Sequence, residues 1–251
     1  MSRDGTPPTE TLNRRSVLQS VGTASLLGLS AGNAFGSQQS TAAGQDAVQT
    51  PSVRGSVEQV VVAGAVPEAT ITLYGPDGES ITQAQADARG SYVFEGVEPA
   101  EGYRVTQSVD GEQSQRSTAV RVLSPESTPS QEFYDEQELT DGFGYLEMRD
   151  GTTLAQQVIL PEEQEPPYPT LILYSGYEPS VSVQGGDRVK QIIVEGLGYA
   201  VVGVNMRGSA CSGGKFDFGE QLQRLDGYDV VETIAAQEWA GNVGMVGLSF
   251  P

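Results

Sequence analysis

The residues that could do chemistry stand at the end of the printed sequence. Residues 243–246 are a short apolar run, followed by Gly247, Leu248 and Ser249. A serine two residues after a glycine at the end of a buried strand is typical of a nucleophile elbow, because the strand carries the serine to the sheet edge and the glycine permits a sharp turn. The pattern predicts Ser249 as a nucleophile and the backbone N–H of Phe250 as a donor to the oxyanion. The alternative is that Ser249 caps a following helix.

The predicted nucleophile has no base within the chain. A serine hydroxyl is a weak nucleophile until a neighbouring base, usually a histidine, takes its proton. The 251 residues contain no histidine. We therefore expect an amino-terminal fragment of a longer enzyme, which is inactive by itself and whose acid and histidine follow Ser249. Cys211, the single cysteine, lacks a base for the same reason and is interpreted as a loop packing residue.

The composition restricts the kinds of partner. There are 33 Asp and Glu residues against 14 Lys and Arg, a net charge of -19, which disfavours nucleic acid and anionic membranes. The acids are spread over the chain, and we expect adaptation to high salt, where screening relaxes self-repulsion; a merely acidic secreted protein is the alternative. With no CxxC, HExxH or histidine-carboxylate cluster, we expect no metal and no cofactor.

The amino terminus predicts export. Arg14 and Arg15 precede a weakly apolar stretch, residues 21–29, and a group of small residues. This is typical of a twin-arginine signal peptide, assigned to residues 1–36, and the apolar stretch is too short to span a bilayer. No cysteine follows it for lipid attachment, so we expect no stable membrane anchor and an extracellular or cell-surface location. The oligomeric state stays open.

Two linkers and a β-rich segment follow. Residues 37–54, rich in Gln, Ser, Thr and Ala, are predicted as a linker. Short alternating strands with turn signals between them predict a small all-β sandwich over residues 55–123. Residues 124–143, with prolines and acids, are predicted as a second linker.

The remaining residues, 144–251, predict a mostly parallel sheet with helices. The apolar runs TLILY at 170–174, YAVVGV at 199–204 and VGMV at 243–246 are typical of strands buried on both faces. Between these strands, the spacing of apolar residues predicts one helix over 187–197 and a second over 225–239. Asp226 is positioned to cap the second helix. Asp150-Gly151 predicts a hairpin turn between two earlier strands.

Two resemblances follow from short motifs. Residues 69–74 and 89–94 resemble carboxypeptidase-regulatory-like (transthyretin-like) sandwiches. From about residue 144 onward the chain is similar to the cocaine-esterase and Xaa-Pro dipeptidyl-peptidase family of α/β-hydrolases, so residues 144–251 are expected to be an incomplete α/β-hydrolase domain. Six motifs carry this resemblance: DGT at 150–152, YSGYEP at 174–179, NMRG at 205–208, CSGG at 211–214, LDGYD at 225–229 and GMVGLS at 244–249. The family elbow reads G-x-S-Y-x-G, and Phe250 replaces its tyrosine.

The family resemblance implies further roles. Tyr177 matches a tyrosine whose hydroxyl points at the oxyanion; the alternative is a tyrosine that packs on the loop, and Tyr174, at the strand end, is the less favoured donor. Apart from the resemblance, Arg207 follows a buried strand and precedes Gly208, so it either binds a substrate carboxylate or, as we favour, ties its loop to a carboxylate nearby. The resemblance implies a serine hydrolase that cleaves a peptide or an ester substrate, and the predicted signal peptide implies that this hydrolase is exported.

Two questions stay open at this stage. The sandwich is either a substrate-binding or surface-binding module or, as we favour, a packing domain, because no site residues converge in it. The rival to the hydrolase as a whole is a non-catalytic truncated product whose sandwich serves in binding or packing.

Overall fold

The computed structural model describes residues 48–177 and 190–247. The predicted signal peptide, most of the first predicted linker and the residues Ser249 and Phe250 lie outside this part of the chain. Within it, no helix is long and apolar enough to cross a membrane.

Residues 52–122 form two antiparallel sheets, which we call the two-sheet unit. One sheet has the order β1-β2-β5; the other has the order β4-β3-β6-β7, and β8 pairs with β6. The strands are β1 (Ser52–Ser56), β2 (Gln59–Ala63), β3 (Thr70–Tyr74), β4 (Ser80–Gln85), β5 (Tyr92–Glu95), β6 (Ala100–Val109), β7 (Glu112–Gln113) and β8 (Val120–Val122).

One hydrophobic cluster joins the two sheets of this unit. Val60 and Val62 from β2 and Ile71 and Leu73 from β3 are almost fully buried within it. Side chains alternate across a strand, so residues two apart share the inner face. The unit begins inside the predicted first linker, because β1 is a polar strand that only its pairing with β2 identifies. The carboxypeptidase-regulatory-like assignment stays a prediction.

The segment predicted as a second linker, 124–143, is packed against the α/β part. It contains helix α1 (Gln131–Asp135) and the start of the next strand. Tyr134 and Leu139 are buried, at 2% and 4% exposure, and the Leu139 N–H donates to the Gln237 side-chain oxygen at 2.8 Å. The linker prediction was wrong here because surrounding prolines and acids masked two isolated core residues.

The α/β part is built on one five-stranded sheet of order β13-β11-β12-β10-β9. β11 is parallel to both β12 and β13, whereas β10 is antiparallel to β9 and β12. Four strands therefore run in one direction and β10 alone in the other, so the sheet is mixed. Its strands are β9 (Gly142–Glu147), β10 (Thr153–Ile159), β11 (Tyr168–Ser175), β12 (Ala200–Asn205) and β13 (Ala240–Met245).

The helices differ from the predicted ones in position. Helix α2 spans Gln221–Ala235 and begins four residues before the predicted start; Glu220 holds its N-cap position. Asp226, predicted as the cap, lies inside α2 and is fully buried. The apolar face of α2, including Val230 and Ile234, packs on the sheet. Of the helix predicted over 187–197, the structure describes a π-helical turn, Lys190–Gly196.

Candidate active site

The carboxyl ends of β11 and β13 lie side by side. Ile172 pairs with Met245 in parallel register, and the Val246 N–H donates to the Ile172 carbonyl oxygen at 2.9 Å. In the sequence, Tyr177 follows β11 and Ser249 follows β13. In the sheet, β12 and β13 lie on opposite sides of β11. The chain therefore continues from β11 to β12 on one side and later returns past β11 to form β13 on the other. In open α/β sheets, ligands bind outside the carboxyl ends of strands at such a position.

Of the three predicted site residues, the structure describes Tyr177. Its side chain is half exposed, and its backbone N–H donates to the Ser175 hydroxyl oxygen at 3.1 Å. The tyrosine therefore lies on the loop that leaves β11 at the edge just defined. Ser249 and Phe250, the predicted nucleophile and its neighbour, lie outside the described residues.

Tyr174, the less favoured donor, is committed to the scaffold. It is buried, and its hydroxyl donates to the Gln223 carbonyl oxygen at 2.9 Å. Burial raises the pKa of the Tyr174 phenol well above its usual range, and the negative charge of Asp226 adds to the rise. The side chain joins β11 to the first turn of α2 rather than facing a ligand.

Arg207 ties its loop to buried carboxylates, as favoured from the sequence. Its guanidinium donates to both carboxylate oxygens of Asp226 at 2.6 Å and to Asp150 at 3.1 Å. The planar guanidinium matches a carboxylate in this two-bond geometry. Arg207 is 3% exposed, so it is a structural centre of the α/β part and is not available to a substrate carboxylate.

Asp150 has partners from both parts of the described chain. The Ser56 hydroxyl donates to its Oδ2 at 2.5 Å, and the Arg54 guanidinium lies 3.4 Å from its Oδ1. Burial raises the pKa of Asp150, but the charges of Arg207 and Arg54 and the Ser56 hydrogen bond outweigh it and hold the pKa well below its usual range. We call Arg54, Ser56, Asp150, Arg207 and Asp226 the ion network.

The ionised form of Asp226 is less strongly stabilised in this network than the ionised form of Asp150. Burial raises its pKa to about 6, against the opposing hydrogen bonds and charge of Arg207. The two carboxylates share one guanidinium, and Asp150 has further support from Arg54. The carboxyl of Asp226 therefore has the higher pKa of the two.

A second buried pair lies one helical turn further along α2. Arg149 donates to both oxygens of Asp229, at 2.9 and 2.7 Å, and the Tyr134 hydroxyl donates to Asp229 Oδ1 at 2.8 Å. Residues three apart share one face of a helix. The two aspartates of the LDGYD motif, Asp226 and Asp229, thus lie on one buried face of α2, and each is paired with an arginine from another element.

The loop after β12, residues 206–220, is held by backbone contacts to β10. The Gly208 N–H donates to the Gly213 carbonyl oxygen, and the Gly213 N–H donates to the Thr153 carbonyl oxygen, both at 2.8 Å. The Ser212 hydroxyl donates to the Asn205 carbonyl oxygen at 2.9 Å. Cys211 is exposed in this loop, so its interpretation as a packing residue was wrong: the small neighbours make the turn, and the thiol points outward.

Among residues 48–177 and 190–247, no group of three or more Cys, His, Asp or Glu side chains is arranged to hold a metal ion. The buried carboxylates described above are instead paired with arginines. Their chemistry is that of a fixed scaffold.

One known family has a model that matches the α/β part. Residues 150–251 match the model of the X-Pro dipeptidyl-peptidase (S15) family. This range contains all six motifs, and the family resemblance predicted from them is confirmed. Among curated proteins, none matches the chain.

Several solved structures resemble part of the chain. A CocE/NonD family hydrolase from Staphylococcus aureus is 22% identical over 41% of this chain and 22% of its own, with a TM-score of 0.36. A serine hydrolase from Xanthomonas campestris is 24% identical over 46% of this chain and 54% of its own, with a TM-score of 0.34. An aminopeptidase from a marine-sediment Thaumarchaeota archaeon is 18% identical over 50% of this chain and 23% of its own, with a TM-score of 0.36. The chain thus spans from about a fifth to about half of these proteins.

Proposed function

We propose, because residues 150–251 match the X-Pro dipeptidyl-peptidase family, that the chain is the amino-terminal part of an exported serine hydrolase that cleaves an acyl bond. Ser249 attacks the carbonyl carbon, and the Phe250 N–H and the Tyr177 hydroxyl donate to the oxyanion that forms. No metal or cofactor takes part.

One observation carries the proposal. The family match continues through Ser249, and the strand before it, β13, ends beside β11, whose following loop carries Tyr177. An oxyanion donor must lie within hydrogen-bonding distance of the carbonyl oxygen under attack. Because β11 and β13 are parallel neighbours, their carboxyl ends lie at the same edge of the sheet. A nucleophile that follows one strand and a donor that follows the other can therefore lie close together.

We propose that the base that activates Ser249 comes from residues outside these 251. The chain contains no histidine, and an unassisted serine hydroxyl stays protonated. We propose that a longer protein supplies the acid and the histidine, and that the 251-residue chain does not hydrolyse substrate. The first test is whether the reading frame continues past the Pro251 codon and encodes a histidine.

The substrate is the amide bond of an Xaa-Pro peptide or a simple ester. The experiment compares an Ala-Pro anilide with an aryl ester on the longer protein, beside its Ser249→Ala variant. Loss of turnover on both substrates in that variant supports Ser249 as the nucleophile. Unchanged turnover removes the proposal, and the preferred substrate decides between peptidase and esterase.

Export by the twin-arginine route belongs to the same proposal and rests on Arg14 and Arg15 at the start of the chain. Lysine at both positions is expected to retain the protein in the cell, and normal secretion of that variant would remove the assignment. Should the reading frame stop at Pro251, the alternative of a non-catalytic product with a packing or binding module replaces the hydrolase.

A further inference from the structure

The two-sheet unit contacts the α/β part through the buried side of β1. Arg54 Nη1 donates to the Asp150 carbonyl oxygen at 2.7 Å and to the Thr152 hydroxyl oxygen at 2.6 Å. Ser56, two residues along the same strand and fully buried, donates to the Asp150 carboxylate. Residues two apart on a strand point to the same face, so β1 presents both donors to the turn between β9 and β10.

Asp150 connects β1 to the loop after β12. Its carboxylate accepts from Arg207, the second residue of that loop. Arg207 in turn lies against Gly214, where a Cβ atom would come within 3.4 Å of the Arg207 Cβ. Thr152, which accepts from Arg54, lies beside Gly213 and Gly214. The loop therefore packs against Thr152 and is hydrogen-bonded through Arg207 to Asp150, and both residues accept hydrogen bonds from the two-sheet unit.

The charges show what the two-sheet unit adds. Within the α/β part, Asp150 and Asp226 share the single guanidinium of Arg207, which leaves one negative charge unbalanced in a buried place. Arg54 of the two-sheet unit supplies the second positive charge. An unpaired buried charge is strongly destabilising, so the α/β part needs this arginine to keep both carboxylates ionised.

We infer that Arg54 and Ser56 are positioning residues through which the two-sheet unit fixes the conformation of the loop after β12. The loop leaves β12 at the same sheet edge as the loop that carries Tyr177, because β11 and β12 are parallel neighbours. The two-sheet unit thereby acts on the rim of the candidate active site without contacting substrate. This inference goes beyond the proposed function and does not depend on the role of Ser249.

Cys211 provides the reporter for the test. It is exposed, it lies in the middle of the loop, and it is the single cysteine of the chain, so a nitroxide can be attached to it in the unaltered protein. The variants are Arg54→Met and Ser56→Ala. Arg121→Met is the matched control, because Arg121 lies in β8 of the same unit, is largely exposed, and its loss changes the net charge equally.

The expected result is a mobile spectral component at Cys211 in both test variants and an unchanged spectrum in the control. Arg54→Lys keeps the positive charge and offers one nitrogen donor in place of Nη1, the atom that contacts Asp150 and Thr152, and it should restore the immobile component in part. Ser56→Ala removes one hydroxyl, so it keeps the test valid should Arg54→Met fail to fold. An immobile label in folded Ser56→Ala and Arg54→Met proteins would overturn the inference.

Hydrogen exchange separates a loop effect from general loosening. The amides of Gly208 and Gly213, which close the loop, should exchange at least about ten-fold faster in the test variants, the lower bound expected for loss of one hydrogen bond to a charged group. Amides in the centres of β3 and β12 should keep their protection. Equal acceleration at all these amides, or at none, would contradict a specific positioning role.

Discussion

At the residue scale, the buried aspartates of the α/β part are structural acids. Asp226 and Asp229 would be candidates for acid-base chemistry on burial alone, yet each accepts two hydrogen bonds from one arginine. A buried ion pair with this geometry is weak support for stability but costly to break. The family motifs that contain these residues therefore describe the scaffold behind the site more than the site itself.

The Tyr134 hydroxyl should contribute measurably to the unfolding free energy. Its hydrogen bond to Asp229 is buried and involves a charged acceptor. Tyr134→Phe should lower the free energy of unfolding by about 1.5–3 kcal/mol, measured by chemical denaturation. Tyr145→Phe is the matched control, because Tyr145 is exposed and should change stability by less than about 0.5 kcal/mol. Equal effects of the two substitutions would contradict the assigned role of Tyr134.

Asp150 should give the protein an acid-sensitive stability. Its folded pKa lies below the ordinary 3.8, so its stabilising contribution is complete above about pH 4 and is lost as the pH falls towards the folded pKa. The stability difference between the parent and Asp150→Asn should be constant above about pH 7, where Asp226, whose pKa the Asp150 charge helps to raise, is ionised in both proteins. Below about pH 4 the difference should shrink by about 1.4 kcal/mol per pH unit. Denaturation between pH 2 and 7 measures this difference.

Glu101→Gln is the control for Asp150→Asn, because it removes an equal charge from a largely exposed position. Its stability difference from the parent should stay small over the whole range. An Asp150→Asn difference that does not change between pH 5 and pH 2 would show that the carboxylate is not held ionised by its arginines.

The sequence contains a motif for Ser249 and Tyr177 but none for the buried polar residues. Ser249 and Tyr177 could be proposed because a motif describes their backbone setting. Asp226 was misread as a helix cap, since a local rule favours aspartate there and the competing partner, Arg207, lies in another element. A long-range ion pair leaves no local pattern of its own.

At the element scale, the apolar strands β11 and β12 were predictable, whereas the polar strand β1 and the ends of the helices were not. The expectation that residues 243–246 are buried on both faces was wrong, because Met245 and Val246 are about half exposed. The apolar runs of β11 and β12 correspond closely to strands that are buried on both faces, and no other element type suits them. The prediction placed the start of helix α2 too late because the first turn of the helix, residues 221–224, is mostly polar and lacks the apolar spacing that marks the rest. The tertiary contact of Tyr174 with Gln223 stabilises this turn, and helical periodicity does not reveal it.

The loop after β12 should tolerate no side chain at Gly208. This residue has φ +70°, and a Cβ atom would lie 2.1 Å from the Phe216 backbone nitrogen. Gly219 has nearly the same φ, +73°, with nothing within 4 Å of its Cβ position. Gly208→Ala should therefore lose clearly more stability than Gly219→Ala, which carries backbone strain of about 1–2 kcal/mol alone. Denaturation curves of the two variants measure the excess, and equal losses would contradict the loop packing.

At the scale of the whole molecule, charge is the property that composition predicts most directly. A net charge of -19 implies self-repulsion in the compact state, and exposed charges are screened within about 3 Å at 1 M salt. The buried arginine pairs are protected from this screening, so salt should relieve the repulsion without weakening the ion network.

Thermal unfolding should therefore depend on salt. Between low salt and molar KCl, the melting temperature should rise by more than about 4 °C, which corresponds to roughly 1 kcal/mol or more for a chain of this length. Sucrose is the control, because it stabilises through exclusion from the protein surface and not through screening. A melting temperature that does not respond to KCl would remove the proposed adaptation to high salt.

The arrangement of the molecule was less accessible to sequence reasoning than its parts. The two-sheet unit and the sheet of the α/β part follow largely from strand patterns. The contact of Arg54 and Ser56 with Asp150, however, joins residues almost one hundred positions apart. Ser56 and Arg54 lie in or beside a segment predicted as a linker. What identifies their role is the buried partner, which only the folded chain brings into contact.

Covalent labelling by a fluorophosphonate, located by mass spectrometry, tests the central claim most directly. The reagent reacts with a serine that a base has activated. A protein that continues past Pro251 and contains a histidine should carry one label, on Ser249, and lose it in Ser249→Ala, while the 251-residue chain should remain unlabelled. Hydrolysis by the longer protein with the label on another residue, or stoichiometric labelling of Ser249 in the 251-residue chain, would contradict the account.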